Sequence, residues 1–303
     1  MKKNNIIRFG KFLIIISLFL IGTGLFIYYK DVSNFYDPVN DVKEIIKEHD
    51  DPIKIETNDK LVVPNKDNSE IDTDAKTNDL YRKKIENKYD INVFYGYELA
   101  KYRVDNMGVE IINNDSIVME SLKKLDNVLK TYPKDFFKEF IKEDMKLNVF
   151  LVKKYSVPYV TGITDFSSKY AIVSIAVDFP FEESFHHEIF HYMEHFIEKK
   201  GGRFVSWNDL NPVDFKYGNV QAKYSYDRTY KPDSFFVNNY AQVDSMEDRA
   251  STFEFMTAPV EYDCYISSKY PIWKKSKYMA KMIETYFVTV NSTNIEYWER
   301  YVN

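Results

Sequence analysis

Four of the five histidines in the chain lie within ten residues: His186, His187, His191 and His195. Two of them, His187 and His191, enclose a His-Glu-x-x-His motif at residues 187–191. On a helix, side chains four residues apart project from one face, so both imidazoles can bind one tetrahedral metal ion. Glu188 is then placed to act on a water molecule at that ion without binding it directly. The motif therefore predicts a single zinc site.

A second zinc-binding pattern overlaps the first. Residues 191–195 match the inverted motif His-x-x-Glu-His, in which His191 and His195 would bind the ion and Glu194 would act as the base. Both patterns use His191 and the same helix face, so their spacing alone does not separate them. In the upright pattern, His195 lies one turn further along and could line the cleft or bind substrate.

A catalytic zinc site needs a third protein ligand and leaves its fourth position for water. A helix expected near residue 250 offers Glu247, sixty residues after His187, and Glu254 on the same face is an alternative ligand. The neighbouring Asp248 has two interpretations. It could accept a proton from a ligating histidine, or it could cap the helix in the pattern Ser245-x-x-Asp248.

The combination of the upright motif with Tyr240, seven residues before Glu247, resembles the peptidase domain of anthrax lethal factor and its relatives, the secreted Pro-Pro endopeptidases. The resemblance covers residues 181–256. It implies a zincin-like fold and favours the upright motif over the inverted one.

The resemblance also implies a role for each residue of the motif. His187, His191 and Glu247 would bind zinc, Glu188 would be the general base, and the hydroxyl of Tyr240 would stabilise the oxyanion of the tetrahedral intermediate. The implied reaction is hydrolysis of a peptide bond by metal-activated water, with a peptide or protein as substrate.

The elements expected to position these residues form an α+β domain at residues 80–303, with the active-site helix beside a small sheet. Hydrophobic periodicity predicts helices at residues 115–130, 181–199, 246–256 and 275–289. The same criterion predicts strands at residues 89–95, 145–152 and 170–177. Asp115 or Ser116 is expected to cap the first helix.

The N-terminal region indicates a membrane anchor. Residues 12–29 carry no charge and follow four basic residues, Lys2, Lys3, Arg8 and Lys11. At about 1.5 Å per residue a helix of this length spans roughly 27 Å, close to the hydrocarbon thickness of a bilayer. The basic flank predicts a cytoplasmic N-terminus and an extracellular remainder. A cleaved signal peptide with a secreted product is the alternative.

We therefore expect residues 1–30 to be a basic tip and transmembrane anchor, and residues 31–79 to be a polar stalk. The net charge of −5 provides no basic surface for nucleic acid, which is not an expected partner. The single cysteine, Cys264, excludes an intrachain disulfide. The alternative to a membrane-anchored peptidase is a non-catalytic, zinc-stabilised surface module that binds a partner through its aromatic residues between 203 and 243.

Overall fold

This computed structural model describes residues 68–99, 103–104, 107–166, 170–218, 234–257 and 268–290. By contacts between its residues the chain divides into two units, residues 1–53 with 101–108 and residues 54–100 with 109–303. The described part of the first unit, residues 103–104 and 107–108, pairs as a short antiparallel hairpin. All candidate site residues belong to the second unit.

The described elements make a mixed α+β fold. The helices are α1 (Asn68–Tyr89), α2 (Asp115–Leu129), α3 (Phe136–Ile141), α4 (Phe181–Lys199), α5 (Ser245–Thr257) and α6 (Pro271–Tyr286). The strands are β1 (Asn92–Tyr95), β2 (Arg103–Val104), β3 (Met107–Glu110), β4 (Lys146–Val152), β5 (Lys154–Tyr155), β6 (Gly162–Phe166) and β7 (Tyr170–Ala176).

The main sheet has four strands in the order β1-β4-β7-β6. Strands β1, β4 and β7 are parallel, with Val149 opposite both Val93 and Val173. Strand β6 runs antiparallel to β7 at one edge of this sheet. Six of the seven residues of β4 are buried, as expected for a central parallel strand that is covered on both faces.

Helix α4 crosses this sheet and contacts both β6 and β7. Its aromatic residues connect it to the rest of the core. Tyr192 stacks on Phe140 with 4.4 Å between ring centroids, and Phe190 packs against Phe253 of α5 at 5.2 Å. Burying such side chains stabilises the fold by about 1.5–3 kcal/mol each, so the helix that carries the histidine cluster is held firmly.

The predicted helices and strands are present, with ends that differ from the predicted bounds by up to four residues. Helix α4 has the predicted bounds, and α2 ends one residue before the predicted end. The predicted cap of α2 was wrong. Asn114 caps this helix, because its Oδ1 accepts the backbone N–H groups of Ser116 and Ile117 at 3.0 and 3.2 Å.

Helix α1 was not predicted, and it begins at Asn68, inside the range assigned to the polar stalk. Its second half is held by one buried core residue, Ile85, and by polar contacts: Asn78 donates to Asp115, and Arg82 pairs with Glu98 at 2.9 Å. With so few apolar contacts, hydrophobic periodicity does not detect this helix. The short elements α3, β2, β3, β5 and β6 were also missed.

In the described part of the chain, no helix combines the length and apolar character needed to cross a membrane. The predicted anchor at residues 12–29, the first part of the predicted stalk and Cys264 all lie outside the described residues.

Candidate metal centre

Helix α4 places His187 and His191 one turn apart on the same face. Their ring centroids are 5.0 Å apart, and both residues are buried. Because α4 also packs on the sheet, these two imidazoles form a rigid base for a site at the surface of the helix.

Helix α5 brings the predicted third ligand to the same point. The Oε2 atom of Glu247 lies 3.0 Å from Nε2 of His187 and 3.5 Å from Nε2 of His191. Glu247 stands in the first turn of α5, where Asp244 caps the helix by accepting the N–H groups of Met246 and Glu247 at 2.8 and 2.9 Å. One ligand atom from each of the three residues lies within 4.8 Å of the other two.

The donor set fits zinc. Two imidazole nitrogens and one carboxylate oxygen make up the three-ligand set typical of a catalytic zinc site. The charges also fit a cation. Burial lowers the pKa of His187, but hydrogen bonds to Glu247 and Glu254 outweigh burial and hold that pKa well above its ordinary value. Burial raises the pKa of Glu247, but its hydrogen bonds to His187 and His191 outweigh burial, so the net pKa is lowered. Glu247 and Glu254 thus favour a positive charge between the two histidines and Glu247, and a divalent ion would supply that charge.

Glu254 contacts the opposite side of His187. Its Oε2 lies 3.3 Å from Nδ1 of His187, and the residue is buried. A hydrogen bond from Nδ1–H to this carboxylate fixes the tautomer that leaves Nε2 available as a ligand. Glu254 therefore orients His187 instead of replacing Glu247 in the group of three.

Asp248 fills neither of the two roles predicted for it. The helix is capped by Asp244, and the Oδ2 atom of Asp248 accepts from Trp207 at 2.9 Å, from Tyr217 at 2.6 Å and from Lys275 at 2.6 Å. Asp248, Trp207 and Lys275 are buried and Tyr217 is partly buried, and together they connect α5 to α6 and to the segment at residues 207–217. Asp248 thus fixes the helix that carries Glu247. Among the described residues, it has no hydrogen bond to a histidine.

Glu188 lies beside the two histidines and is buried. The Thr164 hydroxyl of β6 is 2.6 Å from Oε2 of Glu188. Burial raises the pKa of Glu188. The charges of His187 and His191 lower this pKa by less than burial raises it, so the net pKa lies above the ordinary value. A carboxylate with a raised pKa is suited to accept a proton and release it again near neutral pH.

Tyr240 begins a 3₁₀ turn, Tyr240–Gln242, directly before α5. Its ring centroid lies 5.8 Å from that of His187. Burial raises the pKa of Tyr240 far above its ordinary value, and the charge of Glu247 raises it further. The hydroxyl therefore keeps its proton, and it is hydrogen-bonded to Glu247 beside the histidines.

The inverted motif is not assembled in the same way. Glu194 is buried and pairs with Arg249 of α5 at 2.5 Å, an ion pair between the two helices. His195 is only partly buried, and in the described part of the chain it does not belong to the group of potential metal ligands. His186 is buried in the core, where its Nδ1 lies 2.8 Å from the hydroxyl of Tyr132.

Of the three comparisons with known proteins, the one with solved structures gave a match. No protein-family model matches the sequence, and no curated protein matches it. The chain is similar in structure to a crystal structure of a Bacteroides caccae protein for which a zinc-binding metallo-peptidase function has been proposed. The TM-score is 0.52 at 15% sequence identity, and the match covers 76% of this chain and 93% of the other.

Proposed function

We propose that this chain is a zinc-dependent endopeptidase in which His187, His191 and Glu247 hold the ion. The observation that carries the proposal is the convergence of their three ligand atoms within 4.8 Å from two separate helices. The similarity in fold to the Bacteroides caccae protein and the resemblance of the motifs to the lethal factor and Pro-Pro endopeptidase group support it.

In the proposed hydrolysis of a peptide bond, the bound ion, Glu188 and Tyr240 each have a separate role. Zinc, when bound, would supply a Lewis acid that activates water and polarises the substrate carbonyl. Glu188 accepts the proton of the attacking water and returns it to the leaving amine. The hydroxyl of Tyr240 donates a hydrogen bond to the developing oxyanion.

The position of β6 suits an extended peptide. This strand pairs with β7 on one side and is the last described strand at its edge of the sheet. Thr164 of β6 touches Glu188, so the edge passes directly beside the base. An extended segment that added to this edge by backbone hydrogen bonds would bring its carbonyl groups past the metal site.

We also propose that residues 12–29 anchor the enzyme in the cell membrane and that the catalytic domain is extracellular. The apolar, uncharged run with its basic flank supports this arrangement. Recovery of the intact chain in the membrane fraction after a high-salt wash would support the anchor. Recovery of a shortened, released product would favour signal cleavage.

The test of the proposed reaction is digestion of a peptide library by the full chain in detergent. Cleavage should disappear with a chelator and return with zinc. Glu188→Ala should remove cleavage and retain bound zinc, whereas Glu198→Ala, at an exposed position of the same helix, should cleave normally. Cleavage by Glu188→Ala at the wild-type rate would refute this mechanism, and zinc binding without cleavage by wild type would favour the non-catalytic module.

A further inference from the structure

The contact between β6 and Glu188 has a specific geometry. The Thr164 hydroxyl lies 2.6 Å from Oε2 of Glu188 and 2.8 Å from the backbone oxygen of the same residue. Thr164 therefore connects the edge strand of the sheet to both the side chain and the main chain of Glu188.

Gly162, two residues earlier on β6, shapes the same side chain. A Cβ atom at this position would lie 2.5 Å from Cγ and 2.9 Å from Oε1 of Glu188. Real atoms do not approach so closely, so any larger residue would displace the carboxyl group. Because side chains alternate along a strand, positions 162 and 164 share one face of β6, the face that meets α4.

We propose that Gly162 and Thr164 of β6 together form a positioning device that sets the rotamer of Glu188. Gly162 leaves the space into which the carboxyl group fits, and Thr164 holds one of its oxygens by a hydrogen bond. The contacts alone support the claim that β6 sets the rotamer of Glu188. The claim that this rotamer matters for catalysis rests on the proposed peptidase function.

The Thr164 hydroxyl has two acceptors within hydrogen-bond distance, Oε2 and the backbone oxygen of Glu188. The same hydroxyl therefore fixes the carboxyl group relative to both the edge strand and the backbone of α4.

The variants Thr164→Val and Thr164→Ser test the hydroxyl. Valine keeps the shape of threonine without the hydroxyl, and serine keeps the hydroxyl. With a peptide found by library digestion, Thr164→Val should lower kcat about 10–100-fold with KM within about twofold, because a displaced catalytic group loses rate and not substrate binding. Thr164→Ser should stay within about threefold of wild type.

Two controls separate positioning from general damage. Thr285→Val, at an exposed position of α6, should leave kcat and KM unchanged. Zinc affinity and the melting temperature of Thr164→Val should remain near the wild-type values. If Thr164→Val folds poorly, Gly162→Ala provides the second test, since its added methyl group should lower kcat while zinc stays bound.

A readout that does not need activity is a high-resolution crystal structure of each metal-free variant. Wild type and Thr164→Ser should show one rotamer of Glu188, and Thr164→Val should show several. A single, unmoved rotamer in Thr164→Val, or an unchanged kcat, would overturn the proposal. Failure of wild type to cleave any peptide would refute the peptidase function, and the rotamer comparison would still decide whether β6 positions Glu188.

Discussion

His187 has a carboxylate on each of its two ring nitrogens, Glu247 on Nε2 and Glu254 on Nδ1. The two carboxylates have different consequences. Glu247 lies on the side that His191 shares and joins the potential ligands, whereas Glu254 lies behind the ring. A histidine oriented in this way is a stronger ligand, because the carboxylate behind it increases its basicity.

Glu254→Gln should therefore weaken zinc binding about tenfold, since an amide still accepts from Nδ1–H but carries no charge. The affinity can be measured by competition with a chelator of known strength. Glu198→Gln on the exposed surface of α4 is the control and should bind zinc like wild type. Equal affinities for all three proteins would show that Glu254 does not influence the site.

Tyr240→Phe should lower kcat about 100-fold with zinc still bound, because one donor to the oxyanion is lost. The measurement is steady-state hydrolysis of a library-derived peptide together with metal content. Tyr97→Phe, at a position that is 82% exposed in the 3₁₀ turn after β1, at the opposite edge of the sheet from β6, makes the same chemical change and should have no effect. Similar rates for wild type and Tyr240→Phe would remove Tyr240 from the mechanism.

Some residues of the site could be predicted from the sequence and others could not. The spacing of His187 and His191 depends only on helix geometry, so a single stretch of chain suggested both. The downstream helix suggested both Glu247 and Glu254, and the resemblance selected Glu247, which lies sixty residues from His187. The contacts of Thr164 with Glu188 and of Asp248 with Lys275 depend on how distant elements pack, and no local pattern indicated them.

At the scale of elements, α5 carries Glu247 and is held in place by a buried ion pair. Lys275 of α6 and Asp248 of α5 are both almost fully buried, with 2.6 Å between Nζ and Oδ2. The Lys275 ammonium also lies 4.1 Å from the ring centroid of Phe236. Removing one charge leaves the other buried without its partner, which costs more than removing both.

Lys275→Met should therefore lower the free energy of unfolding by about 3–5 kcal/mol. The double variant Lys275→Met, Asp248→Asn should recover part of that loss. Urea unfolding of wild type, both single variants and the double variant gives the coupling energy. Additive losses in the double variant would show that this pair does not act as a unit.

A second junction joins α1 to α2 through Asp126. Its carboxylate accepts from Tyr89 at 2.8 Å and pairs with Lys130 at 2.8 Å and Lys88 at 3.2 Å. Burial raises the pKa of Asp126, but these hydrogen bonds outweigh burial and lower it from 3.8 to about 2. A lowered pKa means that the folded state favours the ionised form, so this stabilisation is complete above pH 4 and is lost as the pH falls towards 2.

Asp126→Asn should cost about 1–2 kcal/mol of unfolding free energy at pH 7, and the difference from wild type should shrink between pH 4 and pH 2. Urea unfolding of both proteins across this range measures it. A difference that stays constant with pH would show that the charge of Asp126 does not contribute.

The elements with strong periodicity, α2, α4, β4 and β7, were predicted nearly to the residue, because their apolar faces reflect burial directly. Helix α1 and strand β6 were not. Helix α1 is attached by polar groups such as Asn78 and Arg82, and β6 has only five residues at an edge. Both elements depend on tertiary contacts that their own sequences do not display.

At the scale of the whole molecule, the sheet and α4 provide a rigid base, and α5 brings the carboxylate of Glu247 over it. Zinc would bind the folded chain and not the unfolded chain, so saturating zinc should stabilise the fold. We expect the melting temperature to rise with zinc and fall with a chelator. In His191→Ala, which lacks one ligand, the zinc-dependent shift should be much smaller, and an equal shift in both proteins would indicate binding elsewhere.

The central claim is that three side chains from two helices hold one ion. Its most direct test is a crystal structure of zinc-loaded protein with anomalous data collected at the zinc edge. We predict one strong peak at about 2.0–2.2 Å from an imidazole nitrogen of His187, an imidazole nitrogen of His191 and a carboxylate oxygen of Glu247. A peak bound instead by His191 and His195, or no peak near α4, would contradict it.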